Sequence, residues 1–450
     1  MSHPRTAIIG AGVAGLTAGK ALADRGVPYV CFETSDDIGG NWYFKNPNGR
    51  SSAYRSLHID ISGPSISFED FPMDDTYPDY PHHSEIRRYL QDYAAKFGLK
   101  RNIRFNTSVT KAERKAGGGW TLTTRQGSAE DFDALLVCNG HHWDPSFPDP
   151  PYPGAFSGTQ IHSHDYIDPT DPVDLPGKRV LVVGIGNSAV DIVCELSRKG
   201  VADKVYIATR SGAYVVPKYI FGKPTDQVIK TSPYLPQALQ RWAGGILQRL
   251  VSGKSEDFGL PTPNHKFLEA HPTVSSELLL RLGSGDAFAR PNVKSFEGRQ
   301  VTFEDGSSAE VDAIIWATGY KITFPFFDPA FLGAPGNRLP LWKRMFKPDL
   351  PDLAFIGLAQ PIPTLFPFCE FQSKLAAQWL AGTWAPPSAE QMQAEIERDE
   401  RRYTGHYGKR QRHTMQLDYY LFRHEMLGKV IPAGLKRARQ LPHRNSSDTL

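Results

Sequence analysis

Three glycines near the start of the chain, Gly10, Gly12 and Gly15, have the spacing of a dinucleotide-binding turn. They follow a short apolar strand and open a helix. The backbone can therefore approach a pyrophosphate at the positive end of the helix dipole. Glu33 ends the next apolar segment, where its carboxylate can accept hydrogen bonds from a ribose diol. This combination predicts a site for a first dinucleotide.

A second turn of the same kind comprises Gly184, Gly186 and Ala189, with Asn187 and Ser188 among them. Ala is acceptable at the third position because that residue only has to let helix and strand pack closely. The strand that follows ends on Thr209, Arg210 and Ser211, without an acidic residue. A guanidinium beside hydroxyl groups suits a 2′-phosphate, because Arg forms bidentate hydrogen bonds with phosphate oxygens. The second turn therefore predicts NADPH rather than NADH.

Two dinucleotide sites in one chain indicate that one dinucleotide reduces the other, and FAD with NADPH is the natural pairing. A disulfide reductase would need a redox-active cysteine pair beside the flavin. The cysteines are far apart in sequence and form no CxxC pair: Cys31, Cys138, Cys194 and Cys369. We therefore expect molecular oxygen to be the electron acceptor.

The elements that must position these turns are two βαβ units. Residues 5–33 predict a strand, a helix and a strand, and residues 178–210 repeat the pattern. The proline-rich segment 141–156 is predicted to lack regular structure and to connect two domains. Buried strands resume at 353–360. We predict an α/β fold of two Rossmann-like dinucleotide-binding domains, the NADPH domain (161–310) inserted into the FAD domain (1–160 and 311–450).

Composition restricts the class of protein. Apolar residues make up 40% and charged residues 22% of the chain, and the net charge of +3 gives no reason to expect nucleic acid. No apolar run has the length of a membrane span, and the N-terminus enters a strand almost at once. We expect a cytoplasmic protein that acts on a small molecule, binds no metal, has no transmembrane segment and can form a homodimer.

Five motifs in order resemble a known family. They are GAGVAG, IGGNW at 38–42, FxGxxxHxxxY at 156–166, GIGNSA and ATGY at 317–320. Together they identify the chain as similar to class B flavin-dependent monooxygenases, and among these to soluble bacterial-type flavin-containing monooxygenases of the N,N-dimethylaniline monooxygenase kind. The resemblance implies that NADPH reduces FAD and that oxygen adds at the flavin C4a position. Retained NADP then protects the C4a-hydroperoxyflavin until a soft nitrogen or sulfur takes one oxygen atom.

The resemblance also assigns residues to the cofactors. FAD would be held by Gly10, Gly12, Gly15, Glu33, Gly40 and Trp42, with Val109 near the adenine and Gln360 near the isoalloxazine. NADPH would be held by Gly184, Gly186, Asn187, Ser188, Arg210 and Ser211. Further cofactor-binding candidates are Asn41, His58 and Tyr152. Tyr54 matches an aromatic position near the nicotinamide and is, with Asp60, a catalytic candidate.

Asp60 departs from the family, whose familiar members place an Asn there, facing the flavin. A carboxylate cannot donate a hydrogen bond unless it is protonated, and burial beside an anionic flavin could raise its pKa enough. Otherwise Asp60 would mark a leaky enzyme that releases hydrogen peroxide, or a different oxygenation chemistry.

The segment 156–166 is predicted to organise the joint between the domains, with His162 as a structural rather than a proton-transferring residue. Its final residue, Tyr166, favours heteroatom oxygenation, because members that perform Baeyer-Villiger oxidation usually carry Trp there. Two alternatives stay open: a Baeyer-Villiger monooxygenase acting on ketones, and an uncoupled NADPH oxidase or nucleotide-binding redox sensor.

Overall fold

The first sheet is parallel and leads into the first glycine turn. In this computed structural model, which describes residues 3–407 and 415–441, its strands lie in the order Leu353–Phe355, Ala134–Val137, Thr6–Ile9, Tyr29–Phe32 and Ile103–Arg104. Ile8 packs into a core cluster on one face, and Ala7 and Ile9 pack into another. Both faces are covered, which explains the continuous apolar runs of these strands.

The second sheet has the same parallel design. Its strands lie in the order Thr159–His162, Ala313–Trp316, Arg179–Val183, Lys204–Ala208 and Ala287–Arg290. Alternate residues of the central strand again enter different clusters, with Val182 on one face and Leu181 on the other. The second glycine turn follows this strand directly, as the first turn follows Thr6–Ile9.

The chain returns to the first sheet after it completes the second. Leu353–Phe355 pairs with Ala134–Val137, although the whole second sheet lies between them in sequence. This order confirms the predicted α/β class, in which one Rossmann-like unit is inserted into another. The second sheet begins at Thr159 and includes Ala313–Trp316, so its strands extend slightly beyond the predicted limits 161 and 310. We propose 159 and 316 as the limits of the inserted unit.

The entry and exit strands of the inserted unit are neighbours. Thr159 pairs with Ala313, and His162 pairs with Trp316. The Asp312 carboxylate accepts hydrogen bonds from Arg179 Nε and Nη2, each at 2.9 Å. These bonds hold the pKa of Asp312 well below its usual range. The place where the chain enters the unit is therefore fixed beside the place where it leaves.

Helices surround both sheets. Helix Val13–Ala23 packs against helix Phe366–Leu380, where the Thr17 and Ser373 hydroxyls lie 2.9 Å apart. The other α-helices described are Gly63–Ile66, His83–Lys96, Asn187–Leu196, Thr225–Val228, Gln237–Ser252, Leu278–Gly283, Ala389–Tyr407, Tyr419–Glu425 and Ile431–Gln440. In the described part of the chain, no helix combines the length and apolar character needed to cross a membrane. The predicted C-terminal part 311–450 includes residues 408–414 and 442–450, which lie outside the described residues.

Smaller sheets extend the two units. Val109–Arg114, Trp120–Thr124 and Ala129–Phe132 form an antiparallel sheet beside the first. A mixed sheet beside the second unit comprises Ser308–Glu310, Gln300–Phe303, Val293–Gly298 and Gly154–Phe156. Short strand pairs join Val215–Val216 to Thr273–Val274, Tyr219–Ile220 to Lys223–Pro224, Asp144–Pro145 to Tyr320–Lys321, and Gln360–Ile362 to Gln416–Asp418.

The prediction that segment 141–156 lacks regular structure was wrong. Asp144–Pro145 pairs with Tyr320–Lys321, and Gly154–Phe156 pairs with Phe296–Gly298. Proline is compatible with short strands of this kind, because it lacks only the donor and can still accept through its carbonyl. The segment nevertheless joins the two units along the chain.

Gly15→Ala should lower the midpoint of thermal unfolding. A Cβ on Gly15 would lie 1.8 Å from the Gly10 carbonyl oxygen, so the helix would have to move away from the strand. Overpacking of this kind costs about 1–3 kcal/mol. Gly117→Ala is the matched control, because no atom lies within 4 Å of its added Cβ. Calorimetry that finds the same midpoint for both variants would contradict the close approach of helix and strand.

Candidate functional site

The first glycine turn forms a cradle without side chains. Gly10 has φ +101°, and a Cβ there would lie 2.6 Å from the Cys138 carbonyl oxygen. A Cβ on Gly12 would lie 3.5 Å from the Cα of Gly40. Only glycine fits the first position, because of both its φ and its surroundings. The turn therefore offers backbone amides at the N-terminus of helix Val13–Ala23, as a pyrophosphate site requires.

Glu33 stands beside this turn with its carboxylate buried and held. It is 5% exposed and accepts hydrogen bonds from the amides of Ala11 at 2.7 Å and Ser35 at 2.8 Å. Burial raises the pKa of Glu33, and these hydrogen bonds oppose the shift. Carboxylate oxygens have further acceptor positions, so this geometry fits a ribose diol.

Gly40, Asn41 and Trp42 form a 3₁₀ turn across the first cradle. The Asn41 side-chain oxygen accepts hydrogen bonds from the Ser52 amide at 2.9 Å and the Ser52 hydroxyl at 2.8 Å. The Trp42 ring packs edge-on against Phe366, with centroids 6.2 Å apart. Asn41 thus connects the 3₁₀ turn, whose Gly40 packs on Gly12, to residues 51–60, which we call the bridging loop.

The second glycine turn also has a first glycine with positive φ and no room for a Cβ. Gly184 has φ +140°, and a Cβ there would lie 2.3 Å from the Ala317 carbonyl oxygen. Gly186 caps helix Asn187–Leu196, which includes Ser188, and Ala189 is fully buried. The predicted role of Ala at the third position is consistent with that burial. Backbone amides at this helix start can again receive a phosphate.

The residues predicted to select NADPH lie where the next strand of the second sheet ends. Arg210 is exposed, and the Thr209 hydroxyl donates to the Ser211 carbonyl at 2.8 Å. Tyr152 donates its hydroxyl to Asn292 Oδ1 at 2.7 Å. Burial raises the pKa of Tyr152, and the positive charge of Arg210 opposes that shift, so the two groups are close enough to interact.

The bridging loop reaches the inserted unit through Tyr54. Its ring is 2% exposed, and its hydroxyl donates a hydrogen bond to the Asp191 carboxylate. Tyr166 packs against it with ring centroids 6.4 Å apart and donates to Glu195 at 2.8 Å. Burial, followed by the charge of Asp191, raises the pKa of Tyr54 well above its usual value. Tyr54 is therefore a neutral donor between the two units.

Asp60 makes the second contact between the bridging loop and helix Asn187–Leu196. Asn187 donates its side-chain amide to Asp60 Oδ2, and accepts the Val274 amide at 3.0 Å through its own oxygen. Asp60 Oδ1 is buried and has no hydrogen-bond partner among the described residues. Burial and the charge of Asp191 raise the pKa of Asp60. The structure thus places the catalytic candidate Asp60 directly on the second glycine turn.

Other sequence candidates lie farther from these contacts. Val109 shares a buried cluster with Ile9 and Phe32, whose strands lead to Gly10 and Glu33. Gln360 donates its backbone amide to the Met415 carbonyl at 2.8 Å. His58 is exposed, with its Nδ1 2.9 Å from the Ser56 carbonyl and its ring 5.0 Å from that of His82. The contacts of His58 do not join it to either glycine turn within the described residues.

Segment 156–166 contains the entry strand of the second sheet and has buried residues at His162 and Tyr166. His162 is 1% exposed, and its Nδ1 accepts the His164 amide at 3.0 Å. Burial lowers the pKa of His162 to about 4, so the ring is neutral at neutral pH. A Cβ on Gly158 would lie 2.5 Å from the Asp312 carbonyl oxygen. These features suit the organising role that the sequence predicts.

Asp191 and Lys218 were missed by the sequence analysis. Asn187, Asp191 and Glu195 are spaced at i, i+4 and i+8 on one helix, so their common polar face was visible in the sequence. Lys218 belongs to a separate segment that contacts the first unit, where Tyr80 donates to its carbonyl. Only the tertiary fold brings its charge towards Asp60 and Asp191.

The residues present fit two dinucleotides. Each glycine turn has no room for a Cβ at its first glycine, and each opens a helix. Glu33 beside the first suits a ribose, and Arg210 beside the second suits an added phosphate. Within residues 3–407 and 415–441, no group of three or more His, Cys, Asp or Glu side chains could hold a metal ion.

Comparison with known proteins agrees with this geometry. The model of the family described as FMO-like, flavin-binding monooxygenase-like, matches residues 3–434. Flavin-containing monooxygenase 5 of Rattus norvegicus is 38% identical over 441 residues, which cover 93% of this chain and 81% of the relative. The N-oxide-forming dimethylaniline monooxygenase 2 of Rattus norvegicus is 37% identical over 439 residues, covering 92% and 80%.

Among solved structures, S-allyl-L-cysteine S-oxygenase from Allium sativum superimposes with a TM-score of 0.71 at 26% identity, covering 96% of this chain and 88% of that one. The resemblance inferred from the five motifs is confirmed by these relatives. The chain belongs to the flavin-binding monooxygenase-like family.

Proposed function

We propose that this chain is an NADPH- and oxygen-dependent FAD monooxygenase that oxygenates a soft nitrogen or sulfur atom of a small molecule. The observation that carries the proposal is that the bridging loop is hydrogen-bonded to residues beside both glycine turns. Ser52 of this loop is hydrogen-bonded to Asn41 in the 3₁₀ turn that packs on Gly12, and Asp60 is hydrogen-bonded to Asn187 of the second glycine turn. Family membership supports the same function, and the relatives include an N-oxide-forming and an S-oxygenating enzyme.

FAD would occupy the first cradle. Its pyrophosphate would lie on the turn Gly10–Gly15, and its ribose would be bound by Glu33. The packing of Gly40 over Gly12 supports the assignment of the 3₁₀ turn to this cofactor. The full set proposed for FAD is Gly10, Gly12, Gly15, Glu33, Gly40, Asn41, Trp42, Val109 and Gln360, and His58 stays a cofactor-binding candidate that is assigned to neither cofactor.

NADPH would occupy the second cradle, where backbone amides at the start of helix Asn187–Leu196 favour its phosphates. Arg210 is exposed and would bind the 2′-phosphate with Ser211. Tyr152 stacks on Trp316, with centroids 6.0 Å apart, at the same end of the unit. The full set proposed for NADPH is Gly184, Gly186, Asn187, Ser188, Arg210, Ser211 and Tyr152.

When bound, FAD reduced by NADPH would supply the two electrons with which molecular oxygen gives one atom to the substrate and the other to water. The chain's own residues would bind and orient the cofactors and the substrate, and would exclude water from the site. Tyr54 closes the contact between the units with a buried ring, and its hydroxyl keeps the bridging loop on Asp191. Tyr54 is therefore a positioning residue in this proposal.

We also propose that the protein acts in the cytoplasm and forms a homodimer. The coarser statement, that it acts on a small molecule with oxygen, follows from the family.

Purified protein should be yellow, and NADPH should bleach it. When a sulfide, a tertiary amine and a ketone compete in one reaction, we expect S-oxide and N-oxide as the main products, measured by mass spectrometry beside NADPH consumption. Predominant ester from the ketone would instead indicate Baeyer-Villiger oxidation. Hydrogen peroxide as the sole product, with every substrate class, would contradict monooxygenation.

Arg210→Ala should raise the KM for NADPH by about tenfold or more, because it removes a charge-assisted hydrogen bond worth roughly 1.5–3 kcal/mol. The KM for NADH should change little, since NADH lacks the 2′-phosphate. Lys199→Ala is the matched control, an exposed cation elsewhere on the same unit. Equal weakening of both nucleotides by Arg210→Ala would defeat the assignment.

A further inference from the structure

Two carboxyl groups from different units lie close enough for the charge of one to act on the other: Asp60 is hydrogen-bonded to Asn187, which lies one helical turn before Asp191. Asp60 comes from the bridging loop, and Asp191 comes from helix Asn187–Leu196. Each carboxyl group accepts a hydrogen bond from a neutral donor on the other element: Asn187 of the helix donates to Asp60, and Tyr54 of the loop donates to Asp191. Two carboxylates so placed repel each other, and desolvation strengthens the repulsion. The pair is therefore stabilised when one member holds a proton.

The surrounding charges do not remove the repulsion between the two carboxylates. Lys218 is the cation whose charge stabilises both carboxylates. Against it stand Glu195, on the same helix, and Glu277, which add negative charge near Asp191. Burial and the neighbouring charges raise the pKa of both Asp60 and Asp191 above the usual value.

The partners decide which member keeps the proton. Asp191 accepts the hydroxyl of Tyr54, a donor whose own pKa is raised, so this bond favours Asp191 as a carboxylate. Asp60 accepts one amide on Oδ2, while Oδ1 is buried without a partner among the described residues. A buried oxygen of this kind is costly as part of a carboxylate but can carry a proton.

We propose that Asp60 and Asp191 form an acid pair that holds one proton between the two units, carried on Asp60, so that Asp60 presents a carboxylic O–H to the bound cofactors. This inference rests on the proposed function and specifies which residue of the site donates a hydrogen bond to the cofactors. Asp60 then replaces an amide as a hydrogen-bond donor and loses that ability when pH rises through its raised pKa. Asp191 is a positioning residue, because it acts by keeping the proton on Asp60.

Infrared spectroscopy of the FAD-bound protein tests the protonation directly. The wild type should show a carbonyl band of a protonated carboxylic acid at neutral pH, which shifts in heavy water and disappears as pH rises. Asp60→Asn should remove the band, and Glu195→Gln, a matched change on the same helix, should keep it. A wild-type spectrum without the band at neutral pH, or a band that persists in Asp60→Asn, would overturn the proposal.

The pH dependence of coupling gives an independent measure. The ratio of oxygenated product to hydrogen peroxide should fall by about tenfold above the transition in the wild type, as the donor is lost. In Asp60→Asn the ratio should stay level, because an amide donates at every pH. Asp191→Asn should move the transition to lower pH by about one unit or more, and Lys218→Met should move it to higher pH. Shifts in the same direction for both variants would contradict the acid pair.

The two proposals fail in different ways. If no substrate is oxygenated, the proposed function fails, while the infrared band still decides whether Asp60 holds a proton. If products form but the band is absent and Asp60→Asn leaves the pH profile unchanged, only the acid pair is lost.

Discussion

The contact between the bridging loop and helix Asn187–Leu196 is the interaction on which the site depends. Each Rossmann-like unit can build its own glycine turn, because a strand, a tight turn and a helix are local structures. Neither unit alone determines where the other turn lies. The hydrogen bonds of Tyr54 with Asp191 and of Asp60 with Asn187 fix the position of one turn relative to the other. They are made by a buried tyrosine and by partly buried polar groups, for which an unpaired donor or acceptor would be costly.

This contact also explains why function and stability meet at the same residues. The helix that would receive the phosphates of one dinucleotide also anchors the loop packed beside the other. The inserted unit adds a second set of contacts, in which Asp226 accepts hydrogen bonds from Ser62 and Ser65, each at 2.6 Å. Polar contacts of this kind fix geometry, and the apolar clusters of each unit provide most of the stability.

The sequence was a good guide wherever the signal was local. The turns at Gly10 and Gly184, the close packing of helix and strand at Ala189, and the return of the chain to the first sheet were all predicted from short patterns. The limits of the inserted unit are harder to predict from sequence, because the pairing of Thr159–His162 with Ala313–Trp316 joins segments distant in sequence. The roles of Asp191 and Lys218 were not predicted for the same reason. Their meaning depends on charges that only the fold brings to Asp60, and the short strands within the proline-rich segment 141–156 exist only because distant partners are available.

The adjacency of the entry and exit strands of the inserted unit has an evolutionary consequence. Neighbouring strands of a sheet lie about 4.8 Å apart, so the unit leaves the first domain and rejoins it at almost one point. A gene segment encoding such a module could enter an ancestral flavoprotein at a single surface loop without disturbing its sheet. The Arg179–Asp312 bonds close the base of that module. Natural or engineered chimaeras that exchange whole modules at this base would keep both sheets intact and would need to be matched only at the bridging loop.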